Sequence, residues 1–492
     1  MSKKIDSDLE KNIETLDTKF NSEDTFDFSI RRFRLGGQQA CLAFLESLSD
    51  DLILNRILDY LLRIDRGDLG INKLKDILNR KLPYQEIDVV EDFDKAIEEM
   101  LAGPQVIFVD GLEKAIVVDA RTWQSRSPEE PELEKATRGP EDGFVETMIF
   151  NLQMIRRRIR DTNLRAKAMR VGERSQNDLA LVYMGDIADP DLVKEIEEKI
   201  EEIGTDGLPL ADRTVEDFLV GETLNPLPKV RYTNRPDNVA AHILEGRICI
   251  LIDNSPTALI LPSNFFDHIQ SLEDFRQPVI PGTYLNLMRF ASIFLSIALP
   301  AIWLVIAYNP DWLPEFLEII GTEEEATVPI GLQFVLANFG IDLIRIASIQ
   351  IPNALATSLG LIGALMLGEF SVEVGLFNVE TILYMAIAAI ANFTVPGFEL
   401  AMTIEMFRLL LIIAVIYFRI WGLAVGLALI ALLLVTTKSF GVPYLWPLIP
   451  FEWSALKSYL FRQSILQLDK RRPNMYNPQN KTRKKDQGGK EE

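Results

Sequence analysis

The sequence predicts a chain of two bodies: a cytoplasmic N-terminal α/β part made of two subdomains, followed by an all-α polytopic membrane domain. Three observations carry this expectation. At 492 residues the chain exceeds what one ordinary core organises. Up to about residue 283 it is acidic and mixed, whereas residues 285–437 are overwhelmingly apolar. Within the first part, strand–turn–strand patterns alternate with helical periodicity.

Composition narrows the function classes. The net charge of −20 comes mainly from the first part and excludes nucleic acid as a partner, because phosphate backbones are held by Lys/Arg clusters. Cys41 and Cys249 are too few for a disulfide framework and lack CxxC spacing, so both are expected as small buried apolar residues. His242 and His268 have no carboxylate or cysteine at ligand spacing and are expected as satisfied structural histidines. The α/β part contains no phosphate loop, GxGxxG, HExxH or GxSxG. Neither a metal, a cofactor nor an enzymatic activity is expected.

Residues 1–23 are charged and lack an apolar run, which predicts a flexible leader without a cleavable signal, followed by a first subdomain over 24–125. Phe28, Ile30, Phe33 and Leu35 precede Gly36-Gly37, and residues 40–44 follow as a second strand. Leu52, Ile53, Ile57, Leu61 and Leu62 recur at helical spacing within 50–64. QVIFV, Asp110-Gly111 and EKAIVVD predict a hairpin closed by a type I′ turn.

The Pro- and charge-rich stretch 126–143 marks a boundary, with a second subdomain over 140–275. A helix over 144–160 carries Phe144, Met148, Leu152 and Ile155 on one side. Arg156, Arg157 and Arg158 at its end either complement the helix dipole or dock onto another domain. DLALVYMG reads as a buried strand, and a charged helix follows with Asp189 near its cap and Pro190 in its first turn. RICILI, DNSP and TALILP form a second hairpin. Two strand–turn–strand units about 140 residues apart are attributed to α/β economy rather than duplication.

The membrane domain is expected over 284–438, as about four to six segments. Residues 285–308 are long enough to span, with Trp303, Tyr308 and Trp312 near one interface. In the next span, 329–351, Asn338, Asp342 and Arg345 fall on one helical arc. Ionised groups there cost several kcal/mol unless paired or wetted, so the stripe either lines a pore or gate or forms an internal pair. In the short segment 353–367, Ala356, Gly360, Ala364 and Gly368 form a close-packing ridge. Another short segment, 381–395, stops at Pro396-Gly397, with Asn392, Thr394 and Glu399 clustered at the break. Glu405 and Arg408 form a second candidate pair in the span 400–417, and Gly422 and Gly426 offer close packing in 420–435. A membrane-proximal amphipathic segment, 439–468, and a basic disordered tail, 469–492, follow. The basic end predicts cytoplasmic termini and an even number of crossings, either six or four plus two re-entrant segments.

Three runs resemble the A-subunit family of spore germinant receptors: RGPEDGFVETMIFNLQMIRRRI, RPDNVAAHILEGRICILIDNSPTALILP and SFGVPYLWPLIP. Gly143, Phe144, Glu146, Asn151, Arg156, Arg157 and Arg158 match the first motif. Arg235, Pro236, Asp237, Glu245, Gly246, Arg247 and Asp253 match the second. These residues are expected to shape the cytoplasmic fold and its coupling to the pore. Receptor subunits of this family carry a helix like Phe-Glu-Ile-Leu-Arg-Glu-Ala. Here it is Ile341-Asp342-Leu343-Ile344-Arg345-Ile346-Ala347, in which Ile346 replaces the second acid and marks a branch apart from the nutrient receptors. The resemblance implies a multi-pass protein of the spore inner membrane and a homo-oligomeric, pentameric ring around an ion-conducting pore. It also implies a small membrane partner and cooperation with nutrient germinant receptors in amplifying germination. A non-conducting scaffold or signalling subunit is the alternative; a carrier for a small acid is weaker, since no inverted repeat is evident.

Overall fold

A computed structural model describes residues 4–64, 87–121, 138–221, 224–312, 327–350, 363 and 366–463. The chain divides into two compact units. The first holds residues 1–222, 232–262 and 469–492, and the second holds 223–231 and 263–468.

In the first unit, helix α1 (Leu9–Phe20) precedes the hairpin β1 (Phe28–Leu35) and β2 (Gln38–Leu45). Helix α2 (Asp51–Leu62), β3 (Ile87–Val90), α3 (Phe93–Ala102), β4 (Gln105–Val109) and β5 (Ala115–Val118) complete a five-stranded sheet of order β1-β2-β4-β5-β3. Every neighbouring pair in it is antiparallel. Leu9, Ile13, Leu16 and Phe20 of α1 pack with Phe93, Ile97 and Met100 of α3 over Cys41, Ala43, Val106 and Phe108. The opposite face, with Leu42, Ile107 and Ile116, is covered by Leu54, Ile57, Leu58 and Leu61 of α2. Both faces are dry, which is why β2 and β4 read as continuous apolar runs rather than alternating ones.

This corrects the leader expected over 1–23. Asp8 caps α1 by accepting from the Glu10 N–H, and four apolar residues at positions 9, 13, 16 and 20 fall on one buried stripe. The Asp110-Gly111 turn differs too. Only Gly111 has positive φ, +79°, and the Leu112 N–H donates to the Val109 carbonyl at 3.1 Å, so the type I′ turn is absent.

The second half repeats the plan. Helix α4 (Met148–Arg158), β6 (Leu164–Val171), β7 (Asn177–Met184), α5 (Pro190–Glu201), α6 (Ala211–Val220), β8 (Arg231–Thr233), α7 (Pro236–Leu244), β9 (Ile248–Ile252) and β10 (Ala258–Leu261) give a sheet of order β6-β7-β9-β10-β8. Each strand occupies the place of its counterpart in the first sheet, so the likeness of the two hairpins is one part of a repeated topology and not mere economy. Phe144, Leu152, Ile155, Val239 and Ile243 cover one face of this sheet.

The second unit begins earlier than expected. Short helices α8 (Phe265–Ile269) and α9 (Leu272–Arg276), assigned from sequence to the second α/β subdomain, belong with the membrane helices, because Ile269 packs among Ile293, Val395, Leu400 and Ile404. Next come α10 (Val279–Ala307), α11 (Ile330–Gln350), α12 (Val379–Phe393), α13 (Phe398–Thr436) and α14 (Trp453–Leu460). Among the described residues three helices, 279–307, 330–347 and 398–436, are long and apolar enough to cross a membrane. At 15 residues α12 extends about 22 Å, short of a ~30 Å hydrocarbon core. Helix α13 reverses on itself: Arg419 has φ +54°, and a Cβ on Gly422 would run into the Ala414 carbonyl oxygen, eight residues earlier. The two spans expected over 400–417 and 420–435 are therefore arms of one helical hairpin, and Gly422 permits its backbone contact.

Candidate functional site

Three membrane helices bring their polar side chains to one place. Asn338, Asp342 and Arg345 of α11 face Glu405 and Arg408 of α13, with Ser296 of α10 at one edge. The two pairs expected separately form one network, in which the ion pair crosses between helices. Arg345 Nη1 donates to Glu405 Oε2 at 2.6 Å, with both side chains nearly enclosed. Arg408 Nε donates to Asn338 Oδ1 at 2.8 Å, and Asn338 Nδ2 donates to Asp342 Oδ2 at 2.8 Å. Guanidinium only donates and carboxylate only accepts, so the Asn338 amide has one satisfied orientation and relays between opposite charges. Arg408 also donates to Ser296 Oγ at 3.3 Å and lies 3.6 Å from Glu405 Oε1, a distance of charge attraction beyond hydrogen bonding.

Two acids and two arginines cancel within this network. An isolated charge in an apolar helix bundle would cost several kcal/mol, and mutual pairing is what makes the set tolerable. Arg345 further lies over the Phe393 ring at 5.1 Å. Ser296 and Phe393 could not be nominated from sequence, since each is an unremarkable residue in an apolar run.

Other expected site residues are placed differently. Asn392 is fully enclosed and donates to the Ala401 carbonyl across the Pro396-Gly397 break at 3.2 Å. Thr394 instead bonds the Ala391 carbonyl of its own helix, and Glu399 lies in the first turn of α13, where a carboxylate offsets the helix dipole. Gly426 would meet Leu411 if it carried a Cβ, in keeping with close packing of the hairpin arms. Gly368 lies in a wide helical turn over Met366–Phe370, with nothing among the described residues within 4 Å of where a Cβ would stand. Ala356, Gly360 and Ala364 lie outside the described residues. A second polar cluster escaped sequence reading. Gln333 Nε2 donates to Asn378 Oδ1 at 2.9 Å, while Gln333 Oε1 accepts from the Asn378 N–H and the Thr381 hydroxyl.

The family-motif residues act as locks within the α/β unit. Arg156 reaches out of α4 to Asp27, with Nε–Oδ2 at 3.0 Å and Nη2–Oδ1 at 2.6 Å, both side chains at most 1% exposed. Asp27 also accepts from Ser47, so this bidentate pair ties the second subdomain to the first. Of the two readings of the arginine run, docking therefore describes Arg156. Arg158 instead grips Asp142 next to Gly143, and Arg157 is exposed. Asn151 bridges the Val145 backbone at both N–H and C=O, and Phe144 donates to the Asn234 carbonyl. Asp253 accepts from the Met148 N–H at the start of α4, while the Glu146 carbonyl accepts from Asn254. Arg235 holds Asp237 and the Pro140 carbonyl. Pro236 opens α7, Glu245 and Gly246 (φ +92°) close it, and Arg247 donates to the Pro262 carbonyl.

Burial pushes the Cys41 thiol up to about 12 and raises Cys249 further, as inert core thiols require. His268 is enclosed, with Nε2 2.9 Å from Ser263 Oγ.

A family model described as Bacillus/Clostridium GerA spore germination protein matches residues 14–475. The chain is 40% identical over 473 residues to Stage V sporulation protein AF of Bacillus subtilis (strain 168), covering 96% of each chain. It is 30% identical over 490 residues to Spore germination protein KA of the same organism, covering 98% of this chain and 89% of the relative. The crystal structure of the N-terminal domain of the A subunit of the Bacillus megaterium spore germinant receptor GerK3 matches with a TM-score of 0.41 and 25% identity, over 54% of this chain and 98% of that one.

Proposed function

This chain belongs to the GerA family of spore germination proteins, its role is in germination, and from that premise we propose that it is a subunit of an oligomeric ion channel in the spore inner membrane. In this reading the copies form a pentameric ring with both termini in the cytoplasm. The ring works with a small membrane partner and with nutrient germinant receptors, amplifying ion release early in germination.

The observation that carries the proposal is the buried network of Asn338, Asp342, Arg345, Glu405 and Arg408 inside otherwise apolar helices. Charges at membrane depth are expensive and accompany ion pathways or the elements that control them. These side chains latch α11 to α13 through the bonds among them, while Asp342 Oδ1, Glu405 Oε1 and Arg408 Nη2 have no hydrogen-bond partner among the described residues and leave partners to exchange. Exchange of partners then sets the conducting state, and the conduit wall is formed elsewhere.

The same pairing favours a second reading, a non-conducting scaffold held together by structural ion pairs. Spores carrying Arg345→Met with Glu405→Met separate the two, since side-chain bulk is retained while both charges go. The channel reading expects assembled protein with altered ion release on germinant addition. Unaltered release with normal assembly supports the scaffold.

A further inference from the structure

A cleft of about 700 Å³ opens at one end of the helical unit, between residues 368–373 and the first turns of α12. Its walls are apolar, from Val372, Val379, Ile382 and Leu383, but Glu369 and Glu373 stand at it with both carboxylates exposed. Neither has an ion-pair partner among the described residues. A seat of this composition fits a cation carried on an aromatic or aliphatic body.

The same helical unit presents such a body. At the tip of the α13 hairpin the Arg419 guanidinium lies 3.4 Å over the Tyr308 ring, again without a carboxylate partner among the described residues. Around it Tyr417 is 76% and Trp421 74% exposed, and Phe418 is exposed as well. Tip and cleft share one end of the unit. Gly331 lies against Tyr308 and Ile416, and Gln333, two residues on, bonds Asn378 and Thr381 beside the cleft.

We infer that the Arg419 tip of one copy seats in the Glu369–Glu373 cleft of the next. The inference rests on the ring reading above. Two complementary patches at one level of the same chain make a heterologous contact, which propagates head to tail and closes into a ring when its rotation allows. Unlike charges across the contact also exclude other registers.

Charge reversal in the full-length protein, in membranes, tests the contact. Arg419→Glu alone, or Glu369→Arg with Glu373→Arg, should lower the oligomeric fraction about tenfold, since like charges then face each other. Combining all three substitutions should restore it. As a check independent of folding losses, Val379→Cys with Tyr417→Cys in the otherwise native chain should give a ladder of disulfide-linked copies, with buried Cys41 and Cys249 as bystanders.

Oligomers indifferent to the reversals, or without a ladder, overturn the inference and leave the ring reading intact. Loss without restoration also overturns it and assigns Arg419 to lipid headgroups. A native chain that is monomeric under the same conditions overturns the ring reading itself.

Discussion

Asp27 and Arg156 pair out of reach of water, each at most 1% exposed. Truncating one leaves the other charged and enclosed, which costs about 3–5 kcal/mol, far more than the net worth of the pair. Asp27→Ala should therefore lower the thermal midpoint of the full chain sharply, Arg156→Ala by a similar amount, and the double variant by much less than their sum. Additive losses in the unfolding scans would mean that the two side chains do not act as a pair. The latch in the membrane helices follows the same logic. Arg345→Ala or Glu405→Ala alone should reduce detergent-extracted folded protein, and Arg345→Met with Glu405→Met should recover it. The thiols give a milder expectation. With Cys41 held at about 12 by burial, alkylation at pH ~8 should label neither cysteine until the chain unfolds. What sequence conveyed at this scale was composition within a helix. Asp342 and Arg345 are visibly neighbours at three-residue spacing, whereas the partner Arg345 takes, Glu405, is sixty residues away, and only packing chooses it.

At the scale of elements, α1 shows why local polarity misleads. Its sequence is mostly polar, yet Leu9, Ile13, Leu16 and Phe20 align once the chain is helical, and they close one face of the first sheet. Leu16→Ala should cost about 2–5 kcal/mol, measurable as a drop in the unfolding midpoint, where a flexible leader would show none. The hairpins were legible because Gly36-Gly37 and the apolar runs beside it allow few alternatives. The turn at Asp110-Gly111 was legible in place but not in type, since that depends on the φ of Asp110 as well as of the glycine. The reversal within α13 had a weaker signal, an Arg and a Gly in an apolar run. Gly422→Val should open it, because the added atoms enter the Ala414 backbone, an overpacking at or above the usual range of about 1–3 kcal/mol. Protease cleavage near Arg419 in membranes should rise in that variant; unchanged cleavage would mean that the arms do not need to touch there.

For the molecule as a whole, the hydropathy step near residue 283 separated the two bodies within about 20 residues of where they divide. The repeated sheet order stayed hidden, because topology is preserved by which strands pair and not by which side chains they carry. A helical unit whose ionised groups pair with one another carries them through apolar surroundings at reduced cost, and a change of partner among those groups is a natural way to alter it. Channel function is tested most directly by current through planar bilayers containing the purified chain, alone and with the small membrane partner proposed above. Reconstituted oligomers should show discrete ion conductance, changed by Arg345→Met with Glu405→Met. Assembled rings that pass no current under any germination signal would contradict that function.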